Sequence, residues 1–205
     1  MFRMGMSLAL AVPGWRSIRL VAALVASVLV AASGMPRPAH AADPAVVYMA
    51  GVGRELMAAA RSRSPSMMAQ VIQKHGDIAY IGLYALGAYR SKLSSNDKPE
   101  FYAGTTRFMA RYAANEAPKY PIAKVEWVNE SVRGGSGIMV DSTVTLRDGS
   151  TYDVRWLVSK AGGSYKVRDA MVYGFWMTPF LKKMFEDYVS ENGGNVRALT
   201  AALNR

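Results

Sequence analysis

Pro121 divides this chain into two periodicities, and that division constrains the fold more than any single motif. Before Pro121 the apolar residues recur every three to four positions, and after it they alternate. Asp43-Pro44 caps a first helix carrying Val46, Val47, Met49, Val52, Leu56 and Ala59/Ala60 to about Arg63. Ser64-Pro65 opens a second that ends near Lys74-His75-Gly76. Asp77 starts a third, with Ile78, Ile81, Leu83/Tyr84 and Leu86 apolar, closing at Gly87–Arg90. Lys98-Pro99 opens a fourth, whose Phe101, Thr105, Phe108/Met109 and Tyr112 are spaced for one face, and Pro118 and Pro121 end it.

Beyond Pro121 the alternation predicts strands at about Ile122–Val132, Ser136–Arg147, Thr151–Lys160 and Tyr165–Val172. Arg133-Gly134-Gly135, Asp148-Gly149 and Gly162-Gly163 supply the hairpin turns. Gly174 ends the last strand. Thr178-Pro179 reads as an N-cap followed by proline at the first helical position, and Gly193-Gly194 stops that helix before a short one at Val196–Leu203. The expected class is α+β. A curved four-stranded antiparallel meander is packed by N-terminal and C-terminal helices around an apolar pocket.

The first 41 residues read as an address. Arg3, Arg16 and Arg19 precede the apolar run Leu20–Ala32, and Ala39-His40-Ala41 places small residues where a signal peptidase reads. The run is shorter than the roughly 20 residues a membrane span needs, so the expectation is a leader cleaved between Ala41 and Ala42. Residues 42–205 would then form one domain released into the periplasm. The leader carries four arginines and no acid, so the formal charge falls from +10 to +6 on cleavage. Absence of cysteine rules out both a disulfide and a lipid-modified N-terminus.

Catalytic chemistry has little to work with. His75 is the one histidine beyond the leader, and it sits where a helix ends, a place that favours a cation at the C-terminal dipole. Gly134-Gly135-Ser136-Gly137 lies between two strands with no helix after it, which fits a hairpin better than a phosphate cradle. Asp141, Asp153 and Asp169 read as solvated or ion-paired strand residues. No metal or cofactor is expected, and export separates the chain from nucleic acid. What stands out is a stock of large apolar groups. Nine methionines survive cleavage, alongside Trp127, Trp156, Trp176, Phe175, Phe180 and Phe185. Methionine adapts to irregular apolar ligands.

The C-terminal order carries a resemblance: strand Tyr165–Val172, corner Tyr173-Gly174-Phe175-Trp176-Met177, long helix, Gly193-Gly194-Asn195 and short closing helix. Leu86-Gly87-x-Tyr89-Arg90 extends it, as does the aromatic spacing Phe101, Phe108, Tyr112 and Tyr120. Together these resemble the MlaC, or toluene-tolerance, family of periplasmic phospholipid-binding proteins, which includes the hopanoid-associated HpnM branch. Tyr173 departs from it, because members often carry an acidic residue there, and Phe175-Trp176 is bulkier than usual.

The resemblance implies a carrier that holds phospholipid, or a hopanoid-like amphiphile, between sheet and helices and shuttles it between outer and inner membrane. It also implies an outer-membrane lipoprotein of the MlaA type and an inner-membrane ABC transporter complex with an MCE subunit as partners. The expected lipid-binding residues are Tyr84, Phe108, Tyr112, Met139, Trp156 and Met171, with Phe175 and Trp176 as a gate or, equally, a hydrophobic staple. Strand register decides whether Met139 and Met171 face the pocket, because a one-residue slip reverses them. Arg90, Lys92 or Arg168 would supply what few polar contacts the mouth makes. Two other readings stay open: an NTF2-like enzyme acting on a small hydrophobic substrate, and an envelope interaction module with a filled core.

Overall fold

The computed structural model describes residues 42–205, so the expected leader and its cleavage site lie outside the described residues. Four helices come first: α1 (Pro44–Ser62), α2 (Pro65–His75), α3 (Ile78–Ala85) and α4 (Lys98–Glu116), with a 3-10 segment at Gly87–Lys92 after α3. The first three start at capping side chains, and α4 starts at Lys98-Pro99 without one. The Asp43 carboxylate accepts from the amides of Ala45 and Val46 at 2.8 and 3.4 Å, Ser64 Oγ from Met67, and Asp77 from Tyr80.

Six strands follow: β1 (Ile122–Trp127), β2 (Val132–Gly134), β3 (Gly137–Leu146), β4 (Thr151–Ala161), β5 (Ser164–Val172) and β6 (Phe175–Trp176). They form one antiparallel sheet in the order β1-β3-β4-β5-β6, with β2 also paired to β3. The helices α5 (Met177–Glu191) and α6 (Val196–Leu203) close the chain.

Six strands replace the expected four for two physical reasons. The run read as one strand, Ile122–Val132, is broken after Trp127. The second oxygen of Asp43 pulls Ser131 out of line, accepting from its amide at 2.9 Å and its hydroxyl at 2.7 Å. Both halves still pair with β3, so they occupy one edge in two pieces. These four donors, Ser131's amide foremost, hold the Asp43 carboxyl down to about 2. The second addition is β6. Tyr173 (φ 51°) and Gly174 (φ 81°) form a two-residue hairpin that returns Phe175 and Trp176 antiparallel to Val172 and Met171. The chain therefore doubles back before α5 rather than passing directly from strand to helix. Tyr173 adopts the left-handed conformation despite its bulk, and its ring packs on Tyr152 at 5.2 Å.

Thr178 is not the N-cap of α5. The helix begins at Met177, and its free amides are satisfied by Asp169 on β5. A β-bulge makes this possible. Leu157 pairs with Asp169 but the next residue, Val158, pairs with Val167, so Arg168 is the extra residue and the alternation resets. Asp169 is thereby a buried cap, 8% exposed, and not the solvated strand residue the alternation suggests.

Two main apolar clusters hold the layers together. One lies among the helices, with Phe101, Leu86, Phe185, Val189 and Leu203 inside. The other joins α1 to the sheet through Met49, Val52, Val140 and Val158. Each such side chain is worth about 1.5–3 kcal/mol when fully buried. Helix α1 comes close to the sheet at Gly53, where a Cβ would stand 2.6 Å from the Trp127 ring, and that ring packs on Trp156 at 6.2 Å. The two clusters do not merge completely, and the space left between them is the site.

Candidate functional site

An open-mouthed cavity of about 280 Å³ lies between the sheet and the helices. Its inner wall is Trp156 on β4 with Val167 and Ala170 on β5. Val52 and Leu56 of α1, Val71 and Ile72 of α2, Ile81 of α3 and Phe108, Met109 and Tyr112 of α4 form the sides. Met177, Phe180, Leu181 and Met184 of α5 close it. The ring of Phe108 stacks with Tyr112 and meets Phe185 edge-on, which fixes this aromatic side of the cavity.

Few polar side chains reach the wall: His75, Arg168, Asp169 and Thr178 are already engaged, and Tyr112 is half exposed at the mouth. The His75 ring is held between the Tyr48 hydroxyl at Nδ1 (3.1 Å) and the Glu55 carboxylate at Nε2 (3.0 Å). Hydrogen bonds from Lys74 and then His75 hold the Glu55 carboxyl below its usual range. Arg168 donates to Asp77 at 2.9 Å and lies over the Tyr80 ring at 4.5 Å. The Asp169 carboxylate accepts from the amides of Ala170, Met177 and Thr178 and from the Thr178 hydroxyl. With these groups paired, the surface left to a ligand is almost wholly hydrocarbon. Burial lifts the Tyr48 hydroxyl to about 12, so it stays protonated and able to donate to His75.

Of the eight residues expected at the site, the structure brings together Phe108, Tyr112 and Trp156 on the cavity wall. Met139 and Met171 lie on the opposite face. Burial along β3 alternates with Ile138 and Val140 inward and Met139 outward, and Met171 pairs across from Arg155, whose guanidinium grips Asp141 on the outer face. Tyr84 is exposed on α3 beside Tyr80. Phe175 is 73% exposed and lines a neighbouring groove, while Trp176 is half-buried opposite Met171 and lines neither space. Among the basic residues expected at the mouth, Arg168 reaches the wall but is committed to Asp77. Lys92 instead lies over Tyr89 and donates to the Gly194 carbonyl, and Arg90 does not border the cavity.

Sequence reasoning missed the contribution of α5. Met177, Phe180, Leu181 and Met184 recur at three- and four-residue spacing, a signal present in the sequence that marks one helical face. Val167 carried no such signal, because the bulge at Arg168 reverses its parity.

Helices packed against an antiparallel sheet and enclosing a predominantly apolar cavity define an α+β protein with a pocket fit for an apolar ligand. The sequence model of the MlaC protein family matches residues 54–205, and the chain belongs to that family. A solved structure has the same fold: the phospholipid-binding protein from Ralstonia solanacearum, determined in complex with a phospholipid. It is 21% identical, with a TM-score of 0.64 over 80% of this chain and 96% of the other. No curated protein matches the chain. Among the described residues no helix is long and apolar enough to cross a membrane.

Proposed function

We propose that this protein is a periplasmic lipid carrier, exported by its first 41 residues, that shields the acyl chains of a phospholipid or related amphiphile such as a hopanoid. The observation that carries this reading is the cavity wall, where hydrocarbon faces inward and His75, Arg168, Asp169 and Thr178 are each paired. Family membership and the phospholipid-bound relative support it. Each methylene removed from water is worth about 0.8 kcal/mol, so two chains of roughly 30 methylenes would cost on the order of 24 kcal/mol if exposed in transit. Passage from bilayer to cavity exchanges one apolar medium for another, which leaves the net affinity near balance and permits release.

A cavity of about 280 Å³ lies at the small end of ligand sites. Chain binding therefore requires its walls to part, and the flexible side chains of Met109, Met177 and Met184 suit a wall that gives way. The carrier would load and unload at an MlaA-type outer-membrane lipoprotein and an inner-membrane MCE/ABC transporter complex. An NTF2-like enzyme would need an unengaged polar pair inside the cavity, and His75 and Asp169 are both committed to structural partners. The test is transfer of fluorescent phospholipid from donor to acceptor vesicles. Protein-dependent transfer that saturates with protein concentration is expected, and transfer no faster than the spontaneous rate would refute the reading.

A further inference from the structure

Beside the cavity mouth runs a second, wider groove of about 1100 Å³, and the two spaces share Tyr112 and Met177 as a common wall. Its chemistry differs from the cavity's. Three arginines from two separate segments border it: Arg61 in the last turn of α1, Arg63 at that helix's C-cap, and Arg147 just past β3. All three are exposed, and none makes an ion pair or a side-chain hydrogen bond within the described residues. The one acid on the groove, Glu116, is taken by Lys119 at 2.8 Å. Arg63 holds a left-handed conformation (φ 54°) at a helix end where glycine would be the cheaper residue. The groove is thus a cationic rim next to an apolar entrance.

The geometry points to this groove as the seat of a phosphate-bearing lipid headgroup, with Arg61, Arg63 and Arg147 as its contacts while the acyl chains pass between Tyr112 and Met177 into the cavity. The inference rests on the carrier reading and sharpens it. Guanidinium groups match phosphate oxygens in pairs, so the protein should select phosphate-bearing amphiphiles over uncharged ones with the same chains. Because the arginines are exposed, the selectivity is moderate and weakens with added salt. That suits a carrier, which must also let go.

The test offers the purified full-chain product vesicles containing equal amounts of dioleoylphosphatidylglycerol and dioleoylglycerol, then quantifies both lipids bound to the protein. Wild type should take the phospholipid by about ten-fold, the scale expected from three partly exposed charge contacts. The triple variant R61Q/R63Q/R147Q should fall to near parity while total bound lipid stays unchanged. R133Q, on the unrelated strand β2, should behave as wild type. If the triple variant folds poorly, R61Q and R147Q singly should each cut the preference about two- to three-fold. A preference that survives the arginine changes overturns the headgroup site but leaves the carrier standing. Failure of wild type to bind either lipid overturns both. Glycerol phosphate alone should not bind measurably at millimolar concentration, and tight binding of it would reassign the groove to a soluble phosphate ester.

Discussion

The Asp169 carboxylate and the Thr178 hydroxyl are hydrogen-bonded across the hairpin that joins β5 to α5, and the amides of Met177 and Thr178 point at the same carboxylate, at 3.1 and 3.0 Å. A strand residue thereby caps a helix that begins eight positions later. The contact sets where α5 starts and so where Met177, Leu181 and Met184 meet the cavity.

Asp169→Ala is expected to cost about 2–4 kcal/mol, because it strands a buried hydroxyl and two helix-end amides without an acceptor. Urea unfolding checks this. Asp169→Asn keeps one acceptor oxygen and should cost less. Equal stability for Asp169→Ala and wild type would show that the cap does not anchor α5.

Trp176 and Tyr112 should separate stability from exchange. Trp176 is half-buried against β5 and off the cavity wall, so Trp176→Ala should lose about 1–3 kcal/mol with the lipid transfer rate unchanged per folded molecule. Tyr112 is 51% exposed where cavity and groove meet. Tyr112→Ala should leave stability within about 0.5 kcal/mol of wild type yet change the transfer rate several-fold. Thermal melts and vesicle transfer assays on both variants decide the matter.

Asp43 gives a pH-dependent prediction. Its folded value, about 2, lies below the ordinary 3.8, so its charged form stabilises the fold above the ordinary carboxylate range. That contribution is lost as pH falls through 3.8 towards 2. Asp43→Asn should be less stable than wild type at pH 7 by about 1–2 kcal/mol, and the gap should close as pH approaches 2. A gap independent of pH would mean that the amide ties depend on shape rather than on charge.

The legible parts of this fold were those written locally. The first three helices start at side chains that cap them in the structure, Asp43, Ser64 and Asp77, and Gly162-Gly163 turns where the alternation reverses. Tertiary contacts hid the rest. The break between β1 and β2 depends on Asp43, 88 positions away from Ser131. The placement of Asp169 and Val167 depends on a bulge that leaves no mark in composition. Phe108, Tyr112 and Trp156 were readable as wall residues from stripe and alternation, whereas Met139 and Met171 hung on a register that only pairing partners define.

The carrier role proposed for this protein requires the cavity to hold acyl chains. The most direct measurement is native mass spectrometry of the protein purified without detergent, run beside Ala170→Leu, which places a larger side chain on the cavity wall opposite Trp156. One lipid bound per wild-type chain is expected. Occupancy should be lower by about ten-fold in Ala170→Leu, with stability equal or higher because the new side chain fills a void. Wild type that carries no lipid, or Ala170→Leu that carries it as fully as wild type, would contradict it.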